Sequence, residues 1–163
     1  MVDIRIVAIA GVSGSGKTTV GRYLAKRLQW PFWDGDDFHP ETNICKMQKG
    51  IPLTDNDRWP WLASIRNLIS STLETDRGAV IACSALKQSY RDYLDVPELQ
   101  FVFLKGSYAQ IDLRLRQRQQ HFMPADLLAS QFRELEEPTE ALTFDVALSV
   151  EAIAQTIQQE FGL

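Results

Sequence analysis

Gly11-Val12-Ser13-Gly14-Ser15-Gly16-Lys17-Thr18 fits the pattern G-x-x-x-x-G-K-[ST] and stands between an apolar run and a segment of helical periodicity. In that setting glycines let backbone N–H groups converge on phosphate oxygens, and the N-terminus of the following helix adds a favourable dipole. Lys17 supplies a point charge, and Thr18 a hydroxyl that can sit on Mg2+. A glycine turn that merely linked strand to helix would need neither. The expected ligand is a nucleoside triphosphate, held by residues 11–19, with Thr19 the last of them.

Outward from this loop the chain alternates. Residues 4–10 form a β-branched apolar run with one weak spot at Ala8, the length of a strand buried on both faces. Over 17–28, Val20, Tyr23, Leu24 and Leu28 recur on one helical stripe. A short apolar piece at 31–33 runs into Asp34, Gly35, Asp36 and Asp37, which favour a turn. Helical spacing returns over 58–72 in Trp61, Leu62, Ile65, Leu68 and Ile69, and Gly78 separates it from a strand at 79–83. The rest reads as a short helix at 90–94, a strand at 99–104, a basic-faced helix at 109–118 and a polar break at 119–124. A helix at 127–135, an alternating strand at 143–150 and a closing helix at 151–161 follow.

Five short strands alternating with helices imply an α/β layered fold with a mainly parallel sheet. Ligands in such folds sit beyond the C-terminal ends of the strands, where both the glycine loop and the acidic turn fall. With 163 residues, 45% hydrophobic and 23% charged, the chain matches one ordinary domain with one core. That excludes two full catalytic domains, long disorder and a scaffold built from disulfides. A net charge of −4, with no basic block beyond Arg114, Arg116 and Arg118, argues against nucleic acid as a partner. Cys45 and Cys83 lack metal-ligand spacing, which suits a reduced cytoplasmic protein. No apolar run approaches the ~20 residues that span a bilayer, and signal cleavage would destroy the glycine loop, so no membrane partner is expected.

Neither a D-x-x-G nor an N-K-x-D string occurs, which disfavours a signalling switch. The strand at 79–83 continues into Ser84 and Ala85 instead of an acid, so the carboxylates must come from Asp34 and Asp36, an arrangement typical of small-molecule kinases. One would reach the metal's water shell, the other an acceptor hydroxyl. Their alternative is to solvate a turn. His39, before Pro40, either contacts substrate or caps the next helix. Arg114 and Arg118 lie one helical turn apart and would reach over the triphosphate as part of a lid, unless they are a solvated basic face. Lys46, Arg58, Lys87 and Arg91 near loop ends suggest an acceptor with an anionic group, best a carboxylate.

Further stretches carry a resemblance: DGDDFHPETNICKMQKGIPLTDNDRWPWL at 34–62, CSALKQSYRDYL at 83–94, FLKG at 103–106, and RLRQRQQHFMP with SQFRELEEP within 114–138. Together with the glycine loop they cover most of the chain, and it resembles the small P-loop gluconokinases, relatives of the shikimate kinases. The resemblance implies a P-loop NTPase three-layer fold with a mainly parallel five-stranded sheet and a small lid at about 114–138. It implies ATP-dependent phosphorylation of the 6-hydroxyl of D-gluconate, with ATP and Mg2+ bound, and a homodimer as candidate assembly. On this sequence it puts Lys17 and Thr18 at the phosphates and metal, Asp34 at the metal through water, and Asp36 at the acceptor hydroxyl. Arg58 and Arg91 become candidates for the sugar acid, with His39, Lys46 and Lys87 as further substrate contacts. Arg114 and Arg118 belong to the nucleotide, and Lys17, Asp36 and Arg118 form the catalytic set. One departure is Gln120, which stands before His121 and Phe122 where the family usually has glycine, giving up backbone freedom at an expected hinge. A kinase of another shikimate-like hydroxy acid, and a nucleotide-binding regulatory module without transfer chemistry, remain the alternatives at this stage.

Overall fold

In the computed structural model, which describes residues 2–118 and 125–163, the chain runs β1 (Ile6–Ala10), α1 (Lys17–Leu28), β2 (Phe32–Asp34), a 3-10 turn (Gly35–Phe38), α2 (Glu41–Gln48) and α3 (Asp55–Leu73). It continues through β3 (Ala79–Ala82), α4 (Gln88–Leu94), β4 (Leu99–Lys105), α5 (Tyr108–Gln117), α6 (Ala125–Glu134), β5 (Leu142–Asp145) and α7 (Val150–Phe161). The five strands make one parallel sheet in the order β2-β3-β1-β4-β5. The expected α/β class and five-stranded sheet are both present.

β1 occupies the centre, with Ile6 in register with Ala79 of β3 on one side and Leu99 of β4 on the other. Successive side chains of a strand point to opposite faces, and β1 divides accordingly. Val7 and Ile9 join a core layer with Val20 and Leu24 of α1, Ile111 and Leu115 of α5, and Ile153 and Ile157 of α7. Ile6, Ala8 and Ala10 join the opposite layer, with Trp61, Leu62, Ile65 and Ile69 of α3 and Tyr90 and Leu94 of α4. Because α1 leaves β1 on one face and α4 leaves β3 on the other, the crevice beyond these two strand ends is the point where the winding reverses.

Three boundaries differ from the periodicity. The helix over 41–48 has no apolar stripe to announce it; its one buried residue is Asn43, whose Nδ2 donates to the carbonyl of Asp57 at 2.8 Å. α3 starts at Asp55, ahead of the apolar pattern, because Thr54 and Asp57 form a capping box. The alternation over 143–150 spans three structures. β5 ends at Asp145, whose side chain accepts the N–H of Ala147 at 2.8 Å, and Ser149 then caps α7 by accepting the N–H of Ala152 at 3.1 Å.

Gly35 fixes the turn after β2. Its carbonyl accepts the indole N–H of buried Trp61 at 2.7 Å, and a Cβ on it would lie 2.6 Å from the backbone oxygen of Ala82. Backbone cannot move aside cheaply, so Gly35→Ala should destabilise the fold by about 1–3 kcal/mol. Chemical denaturation of variant and wild type checks this, with an unchanged midpoint contradicting it.

Candidate active site

The glycine loop closes between β1 and α1. Gly16 caps α1 with φ 98°, a left-handed conformation that a side chain would strain. Gly14 has φ 83°, and a Cβ there would stand 2.9 Å from Leu115. Lys17 Nζ donates to the carbonyl of Val12 at 2.9 Å, across the loop's own mouth. Thr18 Oγ1 donates to Asp34 Oδ2 at 3.0 Å, and the other oxygen of Asp34 accepts the N–H of Asp36 at 3.0 Å. This carboxylate and hydroxyl are hard oxygen donors set beside the phosphate loop, a set that fits Mg2+ retaining part of its water shell.

A cavity of about 190 Å3 opens over this loop, and Ser13, Lys17, Asp36, His39, Arg58 and Gln131 border it. Lys17 is half-buried, and the loss of water around its ammonium pushes its pKa down. The carboxylates of Asp36 and Asp34 work against that shift, while the charge of Arg118 adds to it. Arg118 is exposed just past the end of α5, near enough to Lys17 to be felt there. His39 stacks on Trp61 with ring centroids 4.3 Å apart, and its Nδ1 lies 3.2 Å from Nδ2 of Asn43. An amide nitrogen can only donate, so Nδ1 accepts and the proton of the neutral ring is on Nε2.

The candidate cations separate into two groups. Arg58 borders the cavity and is buried, with one nitrogen donating to the hydroxyl of Tyr90 at 3.0 Å and another to Glu134 at 2.6 Å. Lys46, Lys87 and Arg91 are not brought into the cavity. Lys46 pairs with Asp57 at 2.8 Å, holding that carboxyl down at about 2 together with Thr54 at the cap of α3. Lys87 pairs with Asp55 at 2.9 Å. Arg91 is buried with its donors on the carbonyls of Ala85 at 2.7 Å, Leu86 at 3.2 Å and Glu136 at 2.6 Å. It braces the loop after β3 and does not border this cavity.

Arg114 donates to the carbonyl of Val146, and its other terminal nitrogen is 3.7 Å from where a Cβ on Gly16 would sit, so it lies against the phosphate loop. Gln120, His121 and Phe122 lie outside the described residues. Burial raises the pKa of the Cys83 thiol to about 12, which leaves it without thiolate chemistry.

α6 supplies contacts that reading for charge and motif missed. Gln131 accepts the N–H of Ser13 at 2.8 Å and donates to its Oγ at 3.1 Å, and Glu134 holds Arg58. Both belong to the SQFRELEEP stretch, where helical periodicity marks the element but not these polar contacts. A neutral amide gives no charge signature, and the partners lie 118 and 76 residues away in the chain.

Burial, and then the charge of Arg58, lower the pKa of His39 from 6.5 to about 4. The native state thus binds fewer protons than the unfolded chain between these values. The associated stability is present above about 6.5 and is lost as pH falls towards about 4. His39→Gln should therefore lose less stability than wild type between about pH 7 and about pH 5, measured by urea denaturation at each pH. Equal losses would contradict the buried, neutral ring.

The family model for shikimate kinase matches residues 13–160. Gluconokinase from Gluconobacter oxydans is 48% identical over 137 residues, covering 82% of this chain and 76% of the relative. The thermoresistant gluconokinase of Escherichia coli is 41% identical, covering 96% of this chain and 93% of the relative. A crystal structure of a gluconokinase from Sinorhizobium meliloti superposes with a TM-score of 0.87 at 42% identity, over 99% of this chain and 94% of that one. Phosphate loop, acidic turn and buried guanidinium around one cavity thus stand in a chain that belongs to the gluconokinases, within the wider shikimate kinase family.

Proposed function

We propose that the chain transfers the terminal phosphoryl group of ATP to the 6-hydroxyl of D-gluconate, giving ADP and 6-phospho-D-gluconate. The observation that carries this reading is that one cavity is bordered by Lys17 from the loop, by Asp36 from the acidic turn and by Arg58 from α3. It offers separate partners for a phosphate, an alcohol and a carboxylate within one space.

Phosphoryl transfer depends mostly on positioning and on neutralising charge. Asp36 accepts the proton of the 6-hydroxyl as its oxygen bonds to the terminal phosphorus, and the bond from that phosphorus to the bridging oxygen of ADP breaks. Lys17 and Arg118 bear on the negative charge of the moving group. Arg58 has two N–H donors engaged by Tyr90 and Glu134, which leaves the rest of its five for the sugar-acid carboxylate. Thr18 and Asp34 would hold Mg2+, which when bound supplies charge neutralisation at the phosphates. Among the described residues no helix is long and apolar enough to cross a membrane. A cytoplasmic setting is part of the same proposal, supported by Cys45 and Cys83 standing as free thiols.

ADP release assayed across gluconate, other aldonates and shikimate should show a clear preference in kcat/KM for gluconate, and no preference would overturn the substrate assignment. Asp36→Asn should lower kcat by about 10²–10⁴-fold with ATP affinity held within about twofold. Wild-type kcat in that variant would remove Asp36 from the acceptor hydroxyl. Arg118→Ala should lower kcat/KM at least tenfold, by roughly the loss of one donor to transition-state charge.

A further inference from the structure

Gln131 makes a cyclic contact with a single residue of the phosphate loop. Its Oε1 accepts the N–H of Ser13 at 2.8 Å, and its Nε2 donates to Ser13 Oγ at 3.1 Å. The orientation of the carboxamide follows from chemistry, because a backbone N–H can only donate and so must face the oxygen. Nε2 then necessarily faces Oγ and occupies one of its lone pairs. The hydroxyl's own proton cannot return to a nitrogen that is donating to it, so it is directed elsewhere. Ser13 and Gln131 border the same cavity as Lys17 and Asp36.

The carboxamide is held from outside the loop. Glu134, one helical turn further along α6, binds Arg58 at 2.6 Å, and the N–H of Glu136 donates to the carbonyl of Leu86 at 2.8 Å. The anchor on Ser13 therefore belongs to the acceptor side of the cavity, while Ser13 belongs to the nucleotide side. Nothing in a bare phosphate loop requires such an anchor.

We propose that Gln131 is a positioning residue for phosphoryl transfer: it fixes Ser13 so that the serine hydroxyl donates its proton to an oxygen of the phosphoryl group in transit. This rests on the chain acting as a kinase and adds a donor that the loop motif does not specify, since that position of G-x-x-x-x-G-K-[ST] is open to any residue. Gln131 does not touch the reacting atoms; its effect passes through Ser13.

The test uses Gln131→Ala, Gln131→Glu, Ser13→Ala and the double variant Gln131→Ala/Ser13→Ala, assayed for ADP release with saturating ATP and gluconate. Each single variant should lose about 10–100-fold in kcat while KM for ATP and gluconate changes less than about threefold. Gln131→Glu is the decisive one, since it keeps the shape and still accepts the Ser13 N–H, but its second oxygen draws the hydroxyl proton away from the cavity. A role confined to packing would leave kcat in that variant near wild type. The double variant should be no slower than either single one, because both remove the same donor. Wild-type kcat in Gln131→Glu, a loss confined to KM, or losses that multiply in the double variant would overturn the proposal. The slow ADP release without acceptor, read on the same proteins, should fall by the same factor. Were wild type to ignore gluconate, the substrate assignment would fail while this ratio still judged Gln131.

Discussion

Everything at the site hangs from the confinement of β1. Its backbone is hydrogen-bonded to β3 and β4 on its two sides, and none of its residues is more than 3% exposed. A strand held in this way cannot slide by one residue, because that would exchange Val7 and Ile9 with Ile6, Ala8 and Ala10 between the two apolar layers. The chain must therefore leave the sheet at Ala10, and the glycine loop begins at once. The same confinement places α1 against one layer, so the dipole of its N-terminus and the side chain of Lys17 face the crevice beside β3.

Charge in that crevice is arranged by what each group gives up. Lys17 loses water, keeps a carbonyl, and is balanced by Asp34 and Asp36. Arg58 is buried but engaged at two nitrogens, and its paired acid comes from a helix far along the chain. Tyr90 links that guanidinium to Asp55, and Asp55 in turn holds Lys87. These residues thus form one connected polar network, buried at Arg58 and Tyr90 and reaching solvent at Asp55 and Lys87, in which the buried members restrain one another.

The centre of the sheet was legible because β1 and β3 are short apolar runs with β-branched residues next to turn formers, and α1 because Val20, Leu24 and Leu28 recur at helical spacing. α2 was not, since it is tied down by Asn43 and its neighbours through polar contacts that leave no periodic trace. At the site, Lys17, Thr18, Asp34 and Asp36 could be read from the loop pattern and the acidic turn. Lys46, Lys87 and Arg91 were chosen for charge near loop ends, and charge alone does not reveal the partner. In the structure they pair with Asp57, with Asp55 and with the carbonyls around Leu86. Gln131 went unread for the converse reason, being uncharged while closing two hydrogen bonds on the loop.

The margins of the sheet are short. β2 has three residues and β5 four, whereas β4, inside, has seven. Open amides along an outer strand are what another polypeptide uses to lengthen a sheet, and here such a foothold extends over only a few residues on either flank. Growth into filaments by strand addition is thereby denied a template, even though Trp33 on β2 presents an apolar surface to solvent. The brevity that makes these two strands faint in the sequence is also what shields the folded enzyme from runaway self-assembly.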